Sequence, residues 1–275
     1  MDLKRLQEMP SWDWPKDTGR MLEKILRDGR ADASDRLLAA ELAGDFTVIS
    51  DELADALLFI VQQRDESEQL RAEAVLSLGP ALEYMDEDLF DDSDEVTISE
   101  GMFRRIQDSL RRYYMDAGVP KEVRRRILET SVHAPQGWHR DAVRAAYVSD
   151  KEDWKLTAVF CMGFVDGFDD QLLEALSSKN PDIHYEAVRA AGNWGLDGAW
   201  PQIAAIIAAG ESDKLLLLAA IEAAANIRPR EAAEILGYLI DSEDEDIVEA
   251  VYEAMAMAEL PLDDEYFDED DETIH

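Results

Sequence analysis

A short pattern of small and apolar residues recurs along this chain, and such a repeat restricts the possible folds more than any other feature. The segment RAEAVLSLG at 71–79 has a base first, Ala-Val three and four residues later, and Leu-Gly at its end. The segments KLTAVFCMG at 155–163 and HYEAVRAAG at 184–192 fill the same slots. Weaker copies end at residues 44, 132, 225 and 255, so that successive copies end 35, 53, 31, 29, 33 and 30 residues apart.

A second amphipathic segment lies between consecutive copies. Its apolar residues recur three and four positions apart, as Leu57, Ile60 and Val61 do, which is the spacing of a helix buried on one face. No segment alternates with period two over the length of a strand. The sequence therefore predicts an all-α fold, an α-solenoid (superhelix) of about seven antiparallel helix pairs. The second segments occupy residues 51–63, 101–116, 139–148, 169–178, 199–210 and 230–240.

The fixed slots of the repeat are expected to serve helix packing and helix ends. Alanine in these slots lets neighbouring helices approach closely, and the recurring glycines are expected to be left-handed residues that end helices. Pro181 and Asp213 are expected to begin second helices. The alanines are Ala74, Ala158, Ala187 and Ala250, and the glycines are Gly79, Gly163 and Gly192.

The repeat resembles the HEAT family, in particular the short HEAT-like repeat of the phycobilisome-lyase type. The family signature is DPDxxVRxxAAxALG, and NPDIHYEAVRAAG at 180–192 matches it best. Ile183 and His184 depart from the Val-Arg pair that is usual in the family. The resemblance covers roughly residues 18–258, and it implies a solenoid whose second helices line a concave face. It implies little about function, because the family consists mostly of scaffolds.

The lengths of the intervals suggest how the chain is organised. Residues 1–260 are predicted to form the solenoid, with an acidic insertion at about 85–99, where the longest interval falls. Seven of the ten residues 86–95 are acidic, whereas eight bases follow within 104–126. The insertion either folds onto these bases or stays solvated. The acidic tail at 261–275 is expected to be disordered, because it has too little apolar surface to bury.

Charge restricts the choice of partner. The chain has 62 Asp and Glu against 27 Lys and Arg, a net charge of −35, which repels nucleic acids and anionic membranes. A protein with a basic segment is the expected partner, while adaptation to high salt is an alternative origin of the acidity. A single cysteine, and the absence of a signal peptide or a long apolar stretch, favour a soluble, cytoplasmic protein.

The sequence shows no recognisable motif for catalysis or metal binding. No phosphate-binding loop, Ser-His-Asp set or HExxH motif occurs. His133 and His139 lack further ligands nearby in the sequence, so no metal is expected there, and Cys161 is expected to be buried. Some HEAT-like proteins are DNA glycosylases with a basic concave face, but the charge of this chain has the opposite sign. No cofactor and no enzymatic activity are predicted.

The candidate binding residues follow from the repeat register. The slots two and five residues after the Arg71 position are expected to face outward on the concave side, where aromatic residues and arginines dominate binding energy. The candidates are Glu73, Arg126, Glu129, Phe160, Glu186, Arg189, Glu222 and Tyr252, and the same slots also hold Leu38, Glu41, Leu76, Thr157, Ala219 and Glu249.

Three functions are compatible with these features. The first is a non-catalytic scaffold or adaptor that binds a protein on its concave face. The second is an acidic inhibitor or immunity-type protein that neutralises a basic nuclease or DNA-binding protein. The third, which only the family resemblance suggests, is an accessory lyase-like role in cofactor attachment. The sequence leaves the partner and the oligomeric state open.

Overall fold

The computed structural model describes residues 3–45, 47–86, 98–210 and 213–259, and within these ranges the chain is helical without any strand. Much of the proposed acidic insertion and all of the tail lie outside the described residues. The α-helices are α1 Leu3–Gln7, α2 Thr18–Arg27, α3 Ala33–Ala43, α4 Asp51–Gln62, α5 Glu68–Leu76, α6 Gly79–Asp86, α7 Glu100–Met115, α8 Lys121–Ser131, α9 His139–Tyr147, α10 Glu152–Met162, α11 Asp169–Ala175, α12 Pro181–Asn193, α13 Trp200–Ala209, α14 Lys214–Ile227, α15 Pro229–Leu236 and α16 Glu245–Glu259.

Among the described residues, seven successive helix pairs pack against each other, which confirms the predicted number. In the first compact unit, residues 1–167, the pairs are α2–α3, α4–α5, α7–α8 and α9–α10. In the second unit, from residue 168 onward, they are α11–α12, α13–α14 and α15–α16. The second helix of each pair also packs on the next one in its unit: α3 on α5, α5 on α8, α8 on α10, and likewise α12 on α14 and α14 on α16. The second helices therefore form a continuous row in each unit.

Local sequence explains where the second helices begin. The Asn180 side chain accepts hydrogen bonds from the backbone N–H groups of Asp182 and Ile183, and Pro181 occupies the first turn of α12. Asp213 accepts one from the N–H of Leu216 at the start of α14. These side chains pair N–H groups that have no partner within the helix. The predicted starts at Pro181 and Asp213 are thus confirmed.

The packing slots hold the expected small residues, although the glycines have another role. Ala74, Ala158 and Ala187 are completely buried, whereas Ala250, the fourth predicted slot, is only half-buried. The expectation of left-handed conformation at the recurring glycines is wrong: Gly163 has φ −69° and Gly192 lies within α12. A Cβ on Gly192 would lie 2.8 Å from both Cα and Cβ of Ala223, so glycine is required there by the close approach of α12 and α14.

The buried side chains are mostly apolar in both units, and no helix within the described ranges has the length and apolar content that a membrane crossing requires. Cys161 is buried on α10, as predicted, with its Sγ 3.8 Å from the carbonyl oxygen of Leu128. His139 is buried as well, and its Nε2 lies 2.9 Å from Ser131 Oγ. Both side chains take part in packing inside the first unit.

Candidate protein-binding surface

The outer face of the second-helix row contains most of the slots that sequence reasoning selected. In the first unit this face belongs to α3, α5, α8 and α10. Glu73, Arg126, Glu129 and Phe160 are half-buried on it. Thr157 departs from the expectation, because it is buried and its Oγ1 accepts a hydrogen bond from Nη1 of Arg125 at 2.9 Å.

Two of the charged candidates of the first unit, Arg126 and Glu129, are already paired with each other. Nη1 of Arg126 lies 2.8 Å from Oε2 of Glu129, and its Nε lies 3.2 Å from Oε1 of Glu122. Burial and the nearby charge of Glu41 raise the pKa of Glu73, while Arg126 opposes this shift. A partner that binds here would have to replace these ion pairs with its own, because the side chains on this strip already bind one another.

The aromatic candidate of the first unit belongs to a small cluster. The ring of Phe160 lies 5.2 Å from that of Phe164, and the ring of His133 lies 4.9 Å from Phe164. Burial lowers the pKa of His133, against the opposing charge of Glu83. The shift favours the neutral form of His133, whose ring packs against the ring of Phe164. Within the described residues, no three His, Cys, Asp or Glu side chains are arranged to hold a metal ion.

The second unit has a more open surface, a groove of about 290 Å³ across α12, α14 and α16. We call it the α14 groove. Two candidates from the sequence, Arg189 and Glu222, line it, and both are exposed. The groove is lined by Tyr185, Arg189, Leu215, Leu218, Ala219, Glu222, Ala225, Ala250, Glu253, Ala254 and Met257.

Apolar side chains that sequence reasoning missed form the walls of the α14 groove. Leu215 is 67% exposed and Met257 is 43% exposed, although both are large and apolar. The sequence did indicate exposed apolar side chains here. Four consecutive leucines at 215–218 point in different directions around a helix, so they cannot all face the protein core. Of these four, Leu217 is completely buried, so its neighbours are left at the surface.

The remaining candidates flank the groove. Glu186 forms an ion pair with Arg189 across 3.5 Å, one turn along α12, and the guanidinium of Arg189 lies 5.9 Å from the ring centre of Tyr185. Tyr252 is 56% exposed and lies on a separate shallow depression of α16 together with Glu249. The α14 groove therefore combines an exposed apolar wall, one arginine and two glutamates, Glu222 and Glu253.

Comparison with known proteins agrees with the helix pairs. The family profile of HEAT repeats matches residues 169–256, and this confirms the predicted resemblance. No curated protein matches the sequence.

Solved structures of similar fold include YibA from Escherichia coli, at 15% identity over 92% of this chain and 85% of that one, with a TM-score of 0.48. The CpcE–CpcF complex of phycocyanin lyase from Nostoc sp. is 16% identical over 91% of this chain and 98% of that one, with a TM-score of 0.45. An engineered protein is 17% identical over 89% of this chain and 68% of that one, also with a TM-score of 0.45. Similarity at this level carries no argument about function.

Proposed function

We propose that this chain of HEAT-type helix pairs is a non-catalytic scaffold that binds a basic, amphipathic segment of a partner protein in the α14 groove. One observation carries the proposal: Leu215 exposes 67% of its surface on the wall of a groove that acidic side chains border. Exposed apolar side chains grouped beside polar ones are typical of protein-binding sites. HEAT repeats typically mediate protein interactions, so the fold is consistent with this role.

The place of the groove across three helices favours an extended occupant such as a helix. Its volume of about 290 Å³ lies at the lower limit of the roughly 300–1,000 Å³ that pockets for drug-sized ligands enclose. An amphipathic helix places apolar anchors three, four and seven residues apart into such a groove. Leu215, Leu218 and Met257 offer it an apolar wall, and methionine adapts its shape to different anchors.

The charges around the groove favour a basic segment. Glu222 and Glu253 are both exposed, so each can pair with a lysine or arginine of the bound segment. Arg189 is the one basic side chain in the lining, and its charge is partly balanced by Glu186 at 3.5 Å. The net charge of −35 adds a long-range attraction for cationic partners.

The proposal can be tested with a photo-crosslinking amino acid placed at Leu215. Proteins crosslinked in cells of the source organism would be identified by mass spectrometry, and binding of the purified partner would then be measured. Leu215→Gln should weaken that binding at least about tenfold, the effect of roughly 1.4 kcal/mol. A contribution of that size is typical of an interface anchor.

Val148 provides the matched control, since it is an apolar residue of the first unit that is 74% exposed. Val148→Gln should leave binding unchanged, and neither substitution should affect folding because both side chains face water. Equal binding by wild type and Leu215→Gln would refute the groove as the binding site. A partner that is a basic nuclease or DNA-binding protein, blocked when bound, would identify the inhibitor role predicted as an alternative.

A further inference from the structure

A second cavity, of about 500 Å³, lies in the first unit where α4 and α7 end. Three arginines line it, Arg64, Arg71 and Arg112, together with Asp65 and Asp116. We call it the Arg71 cavity. Three cations around one cavity are unusual in a chain with a net charge of −35. The role of Arg71 can be read from the neighbouring repeat, in which an arginine has the same position.

Arg36 occupies the Arg71 slot in the preceding pair, and its surroundings show what such an arginine binds. Its Nη2 donates to the carbonyl oxygen of Leu26 at 3.1 Å, near the end of the preceding helix. Its two Nη atoms also bind the carboxylate of Glu66 in a bidentate pair, at 2.9 and 2.6 Å. Glu66 lies in the loop before α5, directly preceding the Ser67 that caps this helix. A carboxylate from the next repeat thus completes the bonding of Arg36.

Arg71 keeps the first of these contacts and lacks the second. Its Nε donates to the carbonyl oxygen of Val61 at 3.0 Å, as the repeat requires. The residue that corresponds to Glu66 is Val119, which directly precedes Pro120 at the start of α8. Within the described part of the chain, no carboxylate forms an ion pair with Arg71, although the residue is only 4% exposed.

Arg71 forms part of the cavity lining, and only its Nε has a hydrogen-bond partner in the described part of the chain. The Nη atoms of Arg71 make no hydrogen bond to another described residue. They are also not sealed from solvent. Among the described residues, the sealed side-chain atoms without a partner are Arg36 Nε, Thr130 Oγ1 and His133 Nδ1. An unpaired guanidinium fork thus borders a cavity at the place where the neighbouring repeat holds a carboxylate. Two NH groups in one plane match a carboxylate geometrically.

We infer that the Arg71 cavity is a binding site for a carboxylate group from outside the chain, held by Arg71 as Glu66 is held by Arg36. Arg112 is exposed at the cavity, and Arg64 is held loosely, with its Nη2 3.7 Å from Oδ2 of Asp116. Both arginines are therefore available to a ligand as it enters. This site is independent of the α14 groove, and it accepts an acidic group where that groove accepts a basic one.

The surrounding charges favour a single carboxylate over a more highly charged anion. Arg64 repels Arg71, while Glu68 and Asp116 attract it, and Asp65 also borders the cavity. Burial, followed by the charge of Arg64, lowers the pKa of Arg71. A bound carboxylate would relieve both effects, because it brings one negative charge to the buried cation. Two aspartates in the lining would repel a dianion such as phosphate.

The test uses the full-length protein and the side-chain Nε–Hε signals of arginine in two-dimensional nitrogen-proton NMR. Butyrate, a blocked Gly-Glu-Gly peptide whose only carboxylate is the glutamate side chain, and inorganic phosphate would be titrated separately at constant ionic strength with chloride. Butyrate or the peptide should shift the Arg71 signal saturably, and the two together distinguish a free acid from a protein side chain. Arg112→Gln should weaken this binding about tenfold, as expected for one hydrogen bond to a charged group.

The neighbouring repeat supplies the controls. The Arg36 signal should not respond in the wild type, because Glu66 fills its site, whereas Glu66→Gln should make Arg36 respond. Val119→Glu should remove the response of Arg71, and Val119→Gln should retain it. No response of Arg71 to either carboxylate, a stronger response to phosphate, or equal responses of Arg36 and Arg71 in the wild type would overturn the inference.

Discussion

Nε of Arg124 donates a hydrogen bond to the backbone carbonyl oxygen of Tyr114 over 2.8 Å, which ties the start of α8 to the end of α7. The same relationship, with the same separation of ten residues, joins Arg71 to Val61 and Arg36 to Leu26. The last carbonyl groups of a helix have no partner within it, so a cation there is favourable both as a donor and as a charge. In these three pairs, the arginine at the start of the repeat copy therefore links the two helices.

Arg124→Met should destabilise the protein by about 1.5–3 kcal/mol, because it removes a hydrogen bond from a charged donor to a helix end. The methionine keeps most of the apolar stem, so the loss reports on the guanidinium. Urea unfolding followed by circular dichroism would measure it. Arg111→Met is the matched control: Arg111 is exposed on α7, and its replacement should change stability by less than about 0.5 kcal/mol. Equal effects of both substitutions would contradict a structural role for the slot.

Gly192→Ala should destabilise the second unit by about 1–3 kcal/mol, because the added methyl has no room between α12 and α14. Its Cβ would lie 2.8 Å from Cα of Ala223, which is backbone and cannot move aside. Gly237→Ala is the control in the same unit, since a Cβ there would have nothing within 4 Å. Calorimetry of the two variants would show a lower Tm for Gly192→Ala alone. A neutral Gly192→Ala would mean that the two helices lie farther apart.

Ala74→Leu tests the packing of the first unit. Ala74 is completely buried on α5, which packs against both α3 and α8, so three added carbons would push these helices apart. The expected loss is on the order of 1–3 kcal/mol in the free energy of unfolding. Ala208→Leu on α13 makes the same change at an exposed position and should be almost neutral. Chemical denaturation would measure the free energy of unfolding of both variants. If Ala74→Leu is as stable as the wild type, the predicted repeat register is wrong.

His139 should make stability depend on pH between about 4 and 6.5. Burial lowers its pKa from 6.5 to about 4. The unfolded chain therefore binds a proton in this interval that the folded chain does not, so the contribution is complete above pH 6.5 and is lost as the pH falls toward 4. At the low end the loss approaches roughly 3 kcal/mol, from 1.36 kcal/mol for each pKa unit.

Comparing how the free energy of unfolding changes with pH in the wild type and in a His139 variant separates the effect of His139 from that of the carboxylates, which both proteins share. His139→Gln removes the titrating ring, so its free energy of unfolding should fall less between pH 7 and pH 5 than that of the wild type, whatever its absolute stability. Equilibrium urea unfolding at several pH values would measure both slopes. Parallel curves would mean that His139 titrates normally in the folded protein.

The fold was predictable from sequence because each helix pair depends on local spacing. Alanine at most packing slots and a base at the start of most copies were readable directly, since five of the six intervals between copies are 29–35 residues long. The glycine roles were misjudged, because whether a Cβ would meet Ala223 depends on how closely two helices approach, and spacing within one helix does not reveal this. Distance between helices is a tertiary property.

The binding surface was predictable only in part, for a similar reason. The slot rule located Arg189 and Glu222, but it missed Leu215, because a rule with two positions per repeat cannot follow a run of four leucines around a helix. It also assigned Thr157 to the surface. In the structure Thr157 is buried, and its hydroxyl accepts a hydrogen bond from Arg125. The missing carboxylate beside Arg71 became visible only when two repeats were compared in three dimensions.

Charge should govern how quickly a partner arrives. If the partner presents a basic segment, its association rate should be high at low ionic strength and fall steeply as salt is added, because exposed charges are screened beyond a Debye length of about 8 Å at physiological ionic strength. Residues 263–275 contain eight of the carboxylates. Deleting them should lower the association rate more than it raises the dissociation rate, since long-range attraction mainly affects encounter.

A second variant separates attraction from contact. Leu215→Gln should mainly raise the dissociation rate, because it removes an apolar contact and leaves the charge unchanged. Stopped-flow measurements with the wild type, the tail deletion and Leu215→Gln across a salt series would give both rates for each. Adaptation to high salt, the competing explanation of the acidity, predicts a fold that weakens at low salt and an association rate that does not depend on the tail. A flat salt dependence, or a strongly acidic partner, would refute the electrostatic explanation and leave the Arg71 cavity as the place where an acidic partner would bind.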